Sequence, residues 1–134
     1  MNNIWKNRKI TMKFKMRLFD PLILPVALYG AECWQLKTTE QRRLDAFQLR
    51  CLRRILGVTY KDRVTNAEIY RRTEQYPLTK KLSWRRLRYV GHLTRMRDTR
   101  LTKQSMTWIP PGGKRPRMTW KKNAERDLEM MNFE

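Results

Sequence analysis

Apolar residues recur along this chain at helical spacing, and Pro, Gly and capping residues punctuate them. Residues 11–31 (TMKFKMRLFDPLILPVALYGA) open on Thr11, a cap, and become almost wholly apolar after Leu18. A helix apolar on every side is a buried one. Pro21 and Pro25 each remove a backbone hydrogen bond, so the pattern predicts a kink or restart near them, and Gly30 a bend before Trp34. The clearest helix spans 39–56: Thr38 and Gln41 have capping-box spacing, Gly57 supplies a left-handed stop, and Leu44, Phe47, Cys51, Leu52 and Ile55 make one stripe. Arg42, Arg43, Arg50, Arg53 and Arg54 take much of the rest of its surface.

Thr65 with Glu68 opens a short helix through Arg72, and Pro77 ends that block. Residues 78–97 read as a long helix with Leu82, Tyr89, Leu93 and Met96 on one side and Leu87 and Val90 beside them. Gly91 in its interior costs about 1 kcal/mol relative to Ala and suggests close approach of another backbone. Residues 107–117 (TWIPPGGKRPR) have no period and form a Pro/Gly loop. A last helix runs from a Thr119 cap to about Met131 with Trp120, Ala124, Leu128 and Met131 in line. No stretch alternates as a strand for more than four residues. The expectation is all-α: a small irregular array of about four to five helices in three blocks, 1–60, 61–106 and 107–134.

Charge changes the picture. The 134 residues carry 31 Lys and Arg against 12 Asp and Glu, a net charge of +19, so a polyanionic partner is the first expectation. Two cysteines, Cys33 and Cys51, and one histidine exclude a disulfide scaffold and leave too few ligands for a zinc finger. Both thiols are expected free and apolar in role, in a reducing, intracellular setting. The apolar run Leu22–Ala31 is half the length of a membrane span and holds Pro25, so no membrane is expected.

Catalytic chemistry finds no inventory. Two-metal phosphoryl transfer needs converging carboxylates, and the acids here are scattered. Glu125, Asp127 and Glu129 form the one close group and are expected on a solvated face. Gly112, Gly113 and Lys114 lack the upstream glycine and following hydroxyl of a phosphate loop. His92 has no Cys or acid at ligand spacing and reads as an ordinary helix histidine. No catalytic residue, metal or cofactor is therefore assigned.

Between Gln75 and Ala124 stand 14 Lys or Arg and a single acid, Asp98. Lys80, Lys81, Arg85, Arg86, Arg88, Arg95 and Arg97 on the long helix, with Lys114, Arg115 and Arg117 in the loop, are the candidate phosphate contacts. Tyr89 and Trp120 lie on apolar stripes and are expected in the core, whereas Trp84 and Trp108 suit either packing or base stacking.

Five blocks in order then resemble one family: LILPVALYGAECW, FQLRCLRRILGV, DRVTNAEIYRRT, RRLRYVGHLTRM and W-x-P-x-G-x-K-R-P-R-x-T-W. Together, from about Ile4 onward, they are similar to the thumb and following region of a LINE-type (non-LTR) retrotransposon endonuclease and reverse transcriptase, an RNA-directed DNA polymerase. The resemblance implies structural roles for Tyr29, Gly30, Glu32 and Trp34 at the end of the first thumb helix. It matches Arg53, Arg54 and Ile55 to the second thumb helix and Asp62, Asn66 and Glu68 to the turn after it. Arg86, Arg88, Gly91, His92 and Arg95 fall on the basic helix, and Arg115, Pro116, Thr119 and Trp120 on a signature whose Gly-Arg pair before the proline is missing here. Pro21 replaces the small or hydroxyl residue of that family. The implied role is a grip on RNA or DNA through backbone phosphates, beside a palm that carries the catalytic aspartates, in a nuclear or nucleocytoplasmic location. Two other readings stay open: a small basic module that binds an acidic protein through the 39–56 stripe, and an unselected pseudogene product.

Overall fold

The computed structural model describes residues 2–113 and 119–132, and among them it is helical without a strand. The elements are α1 (Asn2–Lys6), α2 (Met12–Leu22), α3 (Leu24–Ala27), α4 (Thr38–Leu56), α5 (Asn66–Thr73), α6 (Leu78–Arg95), α7 (Leu101–Thr107) and α8 (Trp120–Asn132), with single 3-10 turns at Ala31–Cys33 and Tyr60–Asp62. The all-α expectation holds. Short helices α1, α3 and α7 add to the four or five anticipated. None of the described helices is long and apolar enough to cross a membrane.

Two compact units cut across the three sequence blocks. The first comprises Met1–Tyr29 and Thr38–Lys81, the second Gly30–Lys37 and Leu82–Glu134. In the first, Thr11 caps α2 through its hydroxyl, which accepts from Phe14 N. The chain breaks at Ile23 and restarts with Pro25 in the opening turn of α3, where its missing N–H costs nothing. Phe19, Leu24 and Leu28 are buried, but Leu22, Val26 and Tyr29 are exposed, Tyr29 at 84%. The apolar block is thus covered on one side only, not all round. Lys15 is buried as well, its Nζ donating to Trp5 O at 2.7 Å.

The buried face of α4 is Gln48, Leu49, Leu52 and Ile55, a stripe turned from the expected one so that Phe47 lies outside at 43% exposure. Gln48 has no exposed surface because it holds the start of α6: its Oε1 accepts from Leu78 N and its Nε2 donates to Tyr76 O, both at 2.9 Å. Asp45, one turn earlier, accepts from Thr79 N at 3.0 Å and from Thr79 Oγ1 at 2.8 Å. A carboxylate at a helix N-terminus satisfies orphan N–H groups and opposes the helix dipole, an arrangement worth about 0.5–2 kcal/mol. Gly57 has φ 70 as the stop of α4, and Thr65 caps α5 by accepting from Glu68 N. The Glu68 carboxylate turns to Arg71 and Arg72 instead of completing a capping box.

In the second unit Gly30, with φ 63, starts the turn that leads into the segment before α4. That segment is tied to α8 by two side chains one turn apart: Trp120 Nε1 donates to Glu32 O at 2.6 Å and Asn123 Nδ2 to Leu36 O at 3.4 Å. Thr119 caps α8 as expected, accepting from Lys122 N. Ala31, Leu82, Leu93 and Ala124 are buried beside Arg86, Asn123 and Asp127. Leu128, placed on the apolar face by its spacing, is 53% exposed, because the buried side of α8 runs through Asn123, Ala124 and Asp127.

Candidate nucleic-acid interface

Helical spacing divides the basic residues of α6 between two environments. Leu82, Arg86, Tyr89 and Leu93 recur at i, i+4, i+7 and i+11 and mark the inward side; Arg85, Arg88, His92 and Arg95 recur at i, i+3, i+7 and i+10 and are exposed. At 1.5 Å per residue the exposed row is about 15 Å long. Arg97 follows it past the helix end and Arg100 precedes α7, both exposed. Arg88, Arg95, Arg97 and Arg100 make no ion pair with any described residue. The nearby acids are spent elsewhere: Asp98 binds Lys103 Nζ at 2.7 Å, which holds its carboxyl below the usual range, and Glu125 lies 3.9 Å from Lys121.

Arg86 does not belong to this face. It is 1% exposed, and its Nη1 pairs with Asp127 Oδ2, itself 5% exposed. Its Nε and Nη2 are buried without a partner among the described residues. Two expectations are corrected together. Arg86 is a core residue because it sits in the apolar row of α6, and Asp127 is its counter-ion because it faces inward with Ala124. Only Glu125 and Glu129 of the acidic group are solvated.

Lys80 and Lys81 belong to the first unit and are half-buried. Lys80 Nζ lies 5.7 Å over the Tyr76 ring; Lys81 Nζ donates to Gln75 Oε1 and stands 3.9 Å from Asp20. Lys114, Arg115, Pro116 and Arg117 lie outside the described residues. Of the residues given structural roles, Gly30 has a positive φ and Trp120 is held by Glu32 O, Trp34 is half-buried, and Tyr29 is exposed. Among the described residues Gly91 meets no neighbouring backbone, contrary to expectation: a Cβ there would find only the Arg95 guanidinium, at 3.5 Å. His92 is exposed, its ring 6.3 Å from that of Tyr89.

Tyr89 and Trp120, expected in the core, are half-buried and pack against each other. Tyr89 packs edge-on to Trp120, centroids 6.0 Å apart at 85°, and burial raises its phenol above the ordinary range, with Cys33 and Glu32 adding to it. Trp84 is 40% exposed and lies one turn before Arg88 on the outer side of α6; Trp108 is 61% exposed. Cys33 is exposed and Cys51 half-buried, both free, and burial pushes the Cys51 thiol up. No group of three His, Cys, Asp or Glu residues among the described ones is placed to hold a metal ion.

Sequence reasoning missed Gln48, Asp45 and Asp127, helix α7 and the cavity beside it. A signal was present for the burial of Gln48, Arg86 and Asp127. Gln48 lies one turn from Leu44 and Leu52, Arg86 one turn from Leu82, and Asp127 one turn from Ala124. A polar residue inside an apolar row implies a buried partner, and opposite charges in the rows of two helices imply each other.

Compared with known proteins, the chain is 31% identical over 108 residues to an uncharacterized transposon-derived protein of Caenorhabditis elegans, an alignment covering 77% of this chain. The chain spans 38% of that protein's length. The similarity connects the chain with transposon-derived sequence. No family model matches, and no solved structure matches.

Proposed function

We propose that this chain is a non-catalytic, helical nucleic-acid-binding segment derived from a LINE-type retrotransposon protein, corresponding to the thumb and the region after it. The observation that carries the reading is the exposed row on α6, continued by Arg97 and Arg100, in which four arginines have no acidic partner among the described residues. Arginines left without counter-ions repel one another, and a phosphate backbone relieves that repulsion while releasing its own counterions. Backbone contacts of this kind position a protein on DNA or RNA without reading sequence. The transposon-derived relative supports the origin, and the five sequence blocks support the thumb.

Three of the twelve acids have structural roles, which supports the non-catalytic reading: Asp45 caps α6, Asp62 caps the turn at Thr59, and Asp127 neutralises Arg86. Primer extension by the isolated chain is accordingly expected to give no product. The protein-partner reading keeps only part of its stripe, Phe47 exposed and Leu44 and Cys51 half-buried, because Leu52 and Ile55 are buried.

The test is salt-dependent binding to duplex and single-stranded probes. With about five phosphate contacts, log K against log salt falls with a slope of roughly −4 to −5 on duplex DNA. Replacing Arg88, Arg95 and Arg97 together by Gln flattens that slope by about 2 to 3 units and weakens all sequences alike. These substitutions spare Arg86, so helicity survives. A slope unchanged in the folded triple variant refutes the proposal.

A further inference from the structure

We infer that the cavity between α6, α7 and the start of α8 receives a single unpaired nucleobase, an inference that rests on the nucleic-acid reading above and names what that site takes beyond phosphate. The cavity has a volume of about 470 Å³ and lies wholly within the second unit. That volume is in the range of small-molecule sites.

Its aromatic wall is fixed. Trp120 is held by the bond from its indole N–H to Glu32 O and by the edge contact with Tyr89, so neither ring is free to collapse inward. Trp108 lines the same cavity yet is 61% exposed, a large flat ring left at the mouth on the segment that follows α7. Its indole is not spent in packing.

The polar lining has both senses of hydrogen bond. Ser105 Oγ donates to Thr102 O at 2.7 Å, which leaves its oxygen to accept; Thr119 Oγ1 accepts from Lys122 N at 3.3 Å, which leaves its hydroxyl to donate. Among the lining residues Lys121 is a cation, half exposed and 3.9 Å from Glu125, and none is an acid. An occupant is therefore flat and apolar on its faces, able to donate and accept at its edge, and attached to negative charge. An unpaired base on a phosphate backbone has all three properties, and stacking of a base on an aromatic ring tolerates any base. An apolar peptide side chain meets only the first requirement.

The experiment uses the full chain with three duplexes of one sequence: fully paired, with a single bulged 2-aminopurine, and with an abasic bulge. The bulged base is expected to raise affinity about tenfold over the paired duplex, within the range measured for one base stacked on one aromatic ring, and to quench 2-aminopurine fluorescence. Trp108→Ala abolishes the preference and the quench while leaving paired-duplex affinity and its salt slope unchanged; Trp108→Phe restores part of both. Equal binding of paired and bulged duplexes, an abasic bulge that binds as well as the base-bearing one, or a Trp108→Ala variant that keeps the preference overturns the inference while the phosphate reading stands. Failure to bind any duplex overturns both. Displacement of the bulged duplex by a tryptophan-containing peptide, with no effect from free nucleosides, assigns the cavity to a protein partner instead.

Discussion

Replacing Arg86 by Met removes one member of a pair whose side chains are 1% and 5% exposed, and leaves the Asp127 carboxylate buried without a counter-charge. Breaking a buried pair from one side costs about 3–5 kcal/mol. A whole domain is stable by only about 5–15 kcal/mol, so the loss takes about a fifth or more of that and falls on the second unit. The double variant Arg86→Met, Asp127→Leu behaves differently. Arg86 keeps Nε and Nη2 without partners, so the native pair only partly offsets the desolvation of its two charges. Apolar replacement of both residues is therefore expected to be neutral or to stabilise by about 1–4 kcal/mol. Urea unfolding followed by near-ultraviolet circular dichroism, which sees the Tyr89–Trp120 pair, reads all four members of the cycle. The coupling energy is expected to change little between 50 and 500 mM salt, since ions do not screen a pair from which water is excluded. A cost below about 1 kcal/mol for Arg86→Met, or a salt-sensitive coupling, refutes the buried-pair account. If the same substitution also flattened the salt slope of nucleic-acid binding, Arg86 would belong on the surface after all.

Gly91→Ala is expected to stabilise α6 by about 0.5–1 kcal/mol, because Ala loses less backbone entropy and its Cβ meets only the flexible end of Arg95; a lowered melting temperature would mean that a backbone does pack there. Burial, with Asp45 nearby, pushes the Tyr70 phenol up to about 12, whereas the unfolded chain ionises near 10, so stability is full below pH 10 and falls as pH rises to 12. Tyr70→Phe removes that alkaline loss together with a buried hydroxyl that has no partner, and is expected to be neutral or mildly stabilising at pH 7; a variant with an unchanged alkaline melt contradicts this. Hydrogen bonds from Arg71 and Arg72 hold the Glu68 carboxyl at about 2, so its support of α5 is present above about pH 4.5 and lost as pH falls to 2; a carboxyl carbon resonance titrating at an ordinary midpoint would show the pairs absent in solution.

The caps show where sequence reading carries far. Thr11, Thr65 and Thr119 start helices by accepting from an N–H three residues on, a bond contained in the local sequence. Gly57 ends one by a backbone angle that its own lack of Cβ permits. Tyr89 and Trp120 meet each other because each sits in an apolar row, though both stay half-buried. Asp45 and Gln48 show where it stops: they cap α6 from another helix, with partners 34 and 30 residues away, and no local pattern states that pairing.

The sequence by itself determined the longer helices, the threonine caps of α2, α5 and α8 and the surplus of positive charge, because those depend on residues within a turn of one another and on a sum that folding leaves unaltered. Tertiary structure decided which charges meet solvent. A row of seven basic residues on one helix looks uniform along the chain, yet rotation by 100° per residue sends Arg86 inward and Arg88 outward, and only a carboxylate arriving from α8, 41 residues later, lets the inward one stay charged. The same long-range placement left Trp108 at the mouth of a cavity while Trp120, twelve residues on, became its wall.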